Sequence, residues 1–144
     1  MLDSESLAKA ISLAEEEATL AGRNVPIGAV VLNGQGEVVS KAHNESGEDQ
    51  EGLGHAEILA IGNAMAKERG HKLTGFSLVV TLEPCLMCFG ACLIAGIRDV
   101  YYMVQSPING AFTKYRINEA LNVHFLPSKK EEDLLKAFFR GLRD

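Results

Sequence analysis

Two short clusters carry the residue types that do chemistry: His55-Ala56-Glu57 and, further along, Pro84-Cys85-Leu86-Met87-Cys88. Imidazole and thiolate are donors that Zn²⁺ favours. His55, Cys85 and Cys88 supply three of them, the number that leaves the fourth corner of a tetrahedron open for catalysis. Both cysteines are expected at the start of a helix, where unpaired backbone N–H groups and the positive end of the helix dipole favour thiolates at neutral pH. His55 opens a helix of its own, so two helix N-termini converge on one cation and its anionic ligands. Glu57, two residues past the imidazole, is placed to move protons as a general acid and base. Either cluster alone is a weak signal, because Cys-x-x-Cys also occurs in structural zinc half-sites and redox pairs, and His-Ala-Glu also simply begins helices. Cys92 is the candidate for closing a structural site. It lies four residues past Cys88, about 6 Å further along a helix, and reads as a small core residue instead. A redox pair leaves His55 and Glu57 unexplained.

The elements that must position these residues follow from hydrophobic periodicity. Leu7, Ala10, Ile11, Ala14, Ala18 and Ala21 recur at helical spacing behind Asp3 and Ser4, and Gly22 ends the run. Pro26 to Leu32 and Val38 to His43 are β-rich and flank Asn33-Gly34-Gln35-Gly36, which predicts an antiparallel hairpin. A polar, acidic loop from Asn44 to Gly54 delivers the chain to His55. Ile58, Ile61 and Met65 stripe a second helix from about His55 to near Gly70. Ser77 to Leu82 is a continuous apolar run of central-strand length, Glu83-Pro84 breaks it, Cys85 to Ala95 is an apolar helix, and Val100 to Val104 returns as a strand. Strand, helix and strand without a tight hairpin predict parallel neighbours. Beyond the loop from Ser106 to Gly110, a short helical piece near Arg116 to Leu121 and a brief strand near Asn122 to Leu126 are expected. In the last helix Ser128 and Glu131 make a capping box, and Leu134, Leu135, Phe138, Phe139 and Leu142 supply the apolar face. Glu15-Glu16-Glu17 reads as a solvated helix face, and His43, His71 and His124 show no partner spacing. With no internal repeat or linker, residues 1–144 read as a single domain.

Composition narrows the classes. The three cysteines lie within one short stretch, against the spread pairs of a secreted disulfide scaffold, so a reducing compartment is expected. Met1-Leu2-Asp3-Ser4-Glu5 has no basic lead into an apolar stretch, and no run approaches the ~18 apolar residues of a membrane span. The expected location is cytoplasmic, with no membrane partner. Fourteen Lys and Arg against nineteen Asp and Glu give a net charge of -5, which is not the balance of a protein that holds nucleic acid by charge alone.

The linked His-x-Glu and Pro-Cys-x-x-Cys arrangement is the signature of zinc nucleobase deaminases. The chain resembles the cytidine and deoxycytidylate deaminase superfamily, and most of all its tRNA adenosine deaminase branch. The resemblance rests on Val25-Pro26-Ile27-Gly28-Ala29-Val30, Asn44, His55-Ala56-Glu57-Ile58, Thr81-Leu82-Glu83-Pro84-Cys85-Leu86-Met87-Cys88 and Leu134-Leu135-Lys136-Ala137-Phe138-Phe139-Arg140. It implies an α/β fold, a three-layer α/β/α sandwich around a mixed five-stranded sheet with strand five parallel to strand four. It also implies one Zn²⁺ per chain on His55, Cys85 and Cys88, Glu57 as the catalytic proton shuttle, and a homodimer. Substrate contacts implied by the resemblance are Asn44 to the base, Pro26, Ile27, Gly28 and Ala29 along the pocket floor, and Pro84 and Phe139. Phe138 and Phe139 are read equally well as core residues of an amphipathic helix. The implied reaction is hydrolytic deamination, in which Glu57 takes a proton from water at the metal and hands it to a ring nitrogen and then to the leaving amine. Adenosine in tRNA, giving inosine, is the leading substrate. The alternative is a free purine or pyrimidine base, nucleoside or nucleotide. A catalytically silent zinc-binding partner subunit is a third reading, against which the retention of Glu57 argues.

Several positions depart from the tRNA branch. Glu45, Glu48, Asp49 and Glu51 crowd the loop before His55 with no Lys or Arg, a distribution that repels phosphate. Leu53-Gly54 stands where the branch typically has Thr-Ala, Gln105 to Ala111 lacks its usual Asp and Lys, and Asn118 to His124 lacks its Asn-His pair. These departures make the small-molecule alternative, of guanine or cytosine type, a serious rival, whereas Lys129, Lys130, Lys136, Arg140 and Arg143 are available to phosphate, Arg140 and Arg143 being read equally well as solvated helix ends.

Overall fold

Alternation along three neighbouring strands sorts the interior into two faces. Ala29 and Val31, Leu78 and Val80, and Val100 and Tyr102 belong to one apolar cluster, while Val30 and Leu32, Val79, and Tyr101 and Met103 belong to the other. This is the period-two signature of a sheet covered on both sides. The computed structural model describes residues 2–45, 54–117 and 120–143. Its elements are α1 (Ser4–Thr19), β1 (Gly28–Leu32), β2 (Val38–His43), α2 (Ala56–Lys67), β3 (Ser77–Leu82), α3 (Leu86–Ala95), β4 (Asp99–Val104), β5 (Asn122–Phe125) and α4 (Lys129–Arg143). The five strands lie in the order β2-β1-β3-β4-β5. β1 is antiparallel to β2 and β3, whereas β3, β4 and β5 run parallel. The result is the expected three-layer α/β/α sandwich around a mixed five-stranded sheet.

α1 starts where Asp3 accepts the Ser6 N–H at 2.7 Å. Its buried face is small, with Ala10, Ala14 and Ala18 fully enclosed. The helix therefore settles so close to β1 that a Cβ on Gly28 would collide with the Ala14 carbonyl oxygen. On the opposite face α2 and α3 cover the larger cluster through Ala60, Ala64, Phe89 and Cys92. β1 begins at Gly28 and not at Pro26, because Pro26 has no N–H to give a ladder and the Ile27 N–H turns back to the Val25 carbonyl at 2.8 Å.

Two expectations at the C-terminal end are corrected. No helix forms at described residues 116, 117, 120 and 121; Arg116 has φ 58, a left-handed conformation that a right-handed helix excludes. The chain turns instead around the Gly110 carbonyl, which accepts from Lys114 N at 2.9 Å and Tyr115 N at 3.3 Å. The Ser128 capping box is half made. Glu131 N donates to Ser128 Oγ at 3.3 Å, but the Ser128 N–H goes to the Met103 carbonyl, and the buried Glu131 carboxylate has no hydrogen-bond partner among the described residues.

Candidate active site

His55 and Cys85 each stand immediately before a helix, as N-caps of α2 and α3 in extended backbone conformation. Their carbonyls close the first helical turns, from Leu59 N at 3.0 Å and Phe89 N at 2.9 Å. Neither side chain caps its own helix. Both are turned toward each other. His55 Nδ1 lies 3.6 Å from Cys85 Sγ and 3.6 Å from Cys88 Sγ, and the two sulfurs are 3.7 Å apart.

Those edges test the metal. A tetrahedron with zinc–sulfur bonds of about 2.3 Å and a zinc–nitrogen bond of about 2.0–2.1 Å has sulfur–sulfur edges of about 3.8 Å and sulfur–nitrogen edges of about 3.5–3.6 Å. The triangle of His55, Cys85 and Cys88 matches one face of it, and the donor set is the soft, mixed one that zinc takes. Among the described residues these three form the one group of metal-ligating side chains that converges in this way. The two thiols share one proton: hydrogen bonding with Cys88, aided by His55, pulls Cys85 down to about 3, while the same bond and burial push Cys88 up. Cys92 stays out of the cluster. It is buried in α3 and its thiol is pushed up to about 12 by that burial, as befits a core residue.

Glu57 sits in the first turn of α2, only 4% exposed, and its Oε1 has no hydrogen-bond partner among the described residues. Burial raises its carboxyl to about 7, against the opposing pull of its own backbone N–H and of His55. A carboxyl that titrates near neutrality is suited to both accepting and returning a proton.

The remaining expected residues divide. Asn44 Oδ1 accepts the Ala56 N–H at 2.8 Å, supplying from outside the cap that His55 cannot give while its ring faces the cysteines. The Asn44 N–H donates to the Ile27 carbonyl at 3.2 Å, and Gly28 N to Thr81 Oγ1 at 3.1 Å, which ties buried Pro26, Ile27, Gly28 and Ala29 to the strand that ends at the site. Pro84 is buried directly before Cys85, and its carbonyl accepts from Ala111 N at 2.9 Å. Phe139 stands apart: it is 43% exposed on α4, edge-on to Phe138, and no hydrogen bond or ring contact among the described residues links it to the cluster. The acidic residues Glu48, Asp49 and Glu51, Leu53, and Asn118 lie outside the described residues.

Two buried acids are missed by reading the sequence. Glu17 is not on a solvated face; it is buried and bonds His43 Nδ1 at 2.7 Å. Glu83 is 3% exposed and its carboxylate gathers four donors: Ser106 N at 3.0 Å and Thr113 Oγ1 at 2.6 Å on Oε1, and Phe112 N at 2.8 Å and Thr113 N at 2.7 Å on Oε2. The signal available for Glu83 was an acidic residue closing an apolar central strand, where only a satisfied carboxylate is tolerated.

Comparison with known proteins agrees with this geometry. The profile described as the cytidine and deoxycytidylate deaminase zinc-binding region matches residues 2–104. A tRNA-specific adenosine deaminase of Aquifex aeolicus is 31% identical over 141 residues, covering 93% of this chain and 93% of that relative. A tRNA(Ile)-lysidine synthase of Deinococcus radiodurans is 42% identical over 106 residues, which is 74% of this chain but 18% of that relative's length. A solved structure from studies of A-to-I editing by tRNA:A34 deaminases at the wobble position of transfer RNA superposes with a TM-score of 0.70 at 33% identity, covering 83% of this chain and 98% of that one.

Proposed function

Since the chain belongs to the cytidine and deoxycytidylate deaminase superfamily, on its tRNA adenosine deaminase branch, we propose that it converts adenosine in tRNA to inosine by zinc-assisted hydrolysis. The observation that carries the reaction class is the buried Glu57 carboxyl, whose Oε1 has no hydrogen-bond partner among the described residues, in the first turn of the helix of which His55 is the N-cap, with His55, Cys85 and Cys88 forming the zinc-matching triangle. The substrate assignment is supported by the tRNA-specific deaminase that aligns along almost the whole chain and by the superposed tRNA:A34 deaminase structure.

His55 Nδ1 and the Cys85 and Cys88 thiolates would hold the ion. Bound zinc supplies the Lewis acidity that makes water a competent nucleophile at neutral pH. The protein's own residues do the rest. Glu57 Oε1 takes the proton released as water adds to the ring carbon bearing the amine and passes it to the adjacent ring nitrogen; it then takes the proton of the newly added hydroxyl and gives it to the amino group, which leaves as ammonia while the ring carbonyl forms. Asn44, its carbonyl oxygen committed to Ala56, presents its amide N–H₂ to the base, while Pro26 to Ala29 and Pro84 shape the pocket floor and edge. Phe139, exposed on α4, is available to stack on a base of a large substrate. The same reading makes the protein a cytoplasmic homodimer; the exposed Leu86 and Ile94 on α3 support a buried partner face. No helix among the described residues is long and apolar enough to cross a membrane.

The test is ammonia release and inosine formation by zinc-loaded protein on bulk tRNA, in parallel with free bases, nucleosides and nucleotides, with Glu57→Ala as the blank. Inosine in tRNA above the blank is expected. Turnover confined to a small molecule would replace the tRNA reading with the alternative one.

A further inference from the structure

The segment between β4 and β5 has no regular structure at residues 105–109, and its backbone N–H groups need acceptors that neither helix nor sheet provides. Glu83 provides acceptors for three N–H groups of the segment and its continuation. Its carboxylate takes the N–H groups of Ser106, Phe112 and Thr113 and the Thr113 hydroxyl, all between 2.6 and 3.0 Å. Its own N–H is anchored to the Val104 carbonyl at 2.9 Å, at the end of the parallel β3–β4 ladder. The wrapped segment then meets the metal-ligand residues directly. Ala111 N donates to the Pro84 carbonyl at 2.9 Å, and Gly110 forms an isolated antiparallel bridge with Cys85. The fit leaves no room: a Cβ on Gly110 would collide with the Glu83 carboxyl group.

We propose that Glu83 is a positioning residue, a buried carboxylate around which residues 106–113 fold so that Gly110 and Ala111 brace Pro84 and Cys85 and hold the Cys85 ligand in place. Two residues before the ligand on one side and bound by four donors from the segment on the other, Glu83 links the sheet, the loop and the ligand into one unit. The proposal rests on Cys85 being a zinc ligand. It goes beyond that reading by naming what sets the ligand's position and by making the loop wall and the metal site a single mechanical unit. Partners behind first-contact ligands in other metal sites influence affinity or activity by about 10–100-fold.

The experiment uses the full chain. In Glu83→Gln the side chain keeps its shape, but the amide has a single acceptor oxygen, so its NH₂ must face at least one backbone N–H whichever way it turns. Three readouts are taken: amide hydrogen exchange at Ser106, Phe112 and Thr113 relative to β3, the thiolate-to-metal absorption band of the Co(II)-substituted protein, and kcat and KM on tRNA with zinc content measured alongside. The expected result is faster exchange at those three amides with β3 unchanged, a shifted cobalt band, zinc still near one per chain, and kcat/KM lowered about tenfold or more. Thr113→Val, which removes one of the four donors, should move the same readouts in the same direction by less, and it decides the matter if Glu83→Gln does not fold. Exchange and cobalt band both at wild-type values would overturn the proposal. So would a loosened loop with an unshifted band, or a loss of zinc that merely tracks a falling melting temperature. A wild-type protein inactive on tRNA, but with exchange and band responding as expected, would overturn the tRNA reading and leave the role of Glu83 standing.

Discussion

Asn44 caps a helix that begins twelve positions after it: its side-chain oxygen accepts the Ala56 N–H at 2.8 Å. That bond caps the helix while the His55 ring faces Cys85 and Cys88, and it commits the Oδ1 end of the Asn44 amide to the Ala56 N–H. Asn44→Ala should lose about 1 kcal/mol of stability, the usual worth of an N-cap, together with most activity. Asn44→Asp retains an acceptor for Ala56 and removes the N–H₂. Thermal melts near wild type with kcat/KM down at least tenfold are therefore expected for Asn44→Asp, since losing one hydrogen bond to a substrate group costs about 1.4 kcal/mol or more. An aspartate variant as active as wild type would show that the amide does not donate to the base.

Glu57→Gln preserves volume and removes the proton shuttle. Turnover should fall by about 10²–10⁴-fold while zinc content stays near one per chain. Burial holds the native carboxyl up at about 7, so a neutral amide is well tolerated there and the melting temperature should not drop. Ammonia release measured beside metal analysis checks both halves, and a variant with native turnover removes Glu57 from the mechanism.

The three cysteines should separate cleanly. Cys85→Ser and Cys88→Ser each remove a soft donor from the triangle, and metal analysis should find far less than one zinc per chain. Cys92→Ala leaves the triangle intact and should keep full zinc content, at a cost of about 1–2 kcal/mol for the small cavity in the core. Chelator should abolish activity in wild type, and added Zn²⁺ should restore it. Retained zinc in Cys88→Ser would break the assignment.

Glu131 gives the fold a pH dependence. Burial, and then the neighbouring Glu15, raise its carboxyl above the ordinary glutamate value of 4.5, with Lys130 pulling the other way. A group raised in the folded state holds its proton longer there than in the unfolded chain. Its penalty is thus absent below about pH 4.5, the unfolded value, and grows as pH rises through the folded one. Glu131→Gln should flatten that part of the stability profile and raise stability at pH 8 by about 1 kcal/mol or more. Urea melts of both proteins at pH 5 and pH 8 measure it, and equal pH dependence in the two would exclude this source.

By itself the sequence determined the metal chemistry and most of the elements. Zinc needs particular donors, and His55, Cys85 and Cys88 are rare residue types placed before helices whose apolar stripes are local patterns. For the same reason β2 and β3 were read at their observed bounds and α3 within one residue. Only the tertiary structure decided that Nδ1 is the imidazole nitrogen facing the sulfurs, that Asn44 caps α2, that Glu17 is buried against His43, and that Glu83 gathers the segment from Ser106 to Thr113. At described residues 116, 117, 120 and 121 it also showed no helix where one was expected near Arg116 to Leu121, with Arg116 in a left-handed conformation. Each of those contacts depends on a partner far along the chain. Periodicity reports which face of a continuous element is covered, whereas a buried polar group reveals itself only once the fold has brought its donors to it.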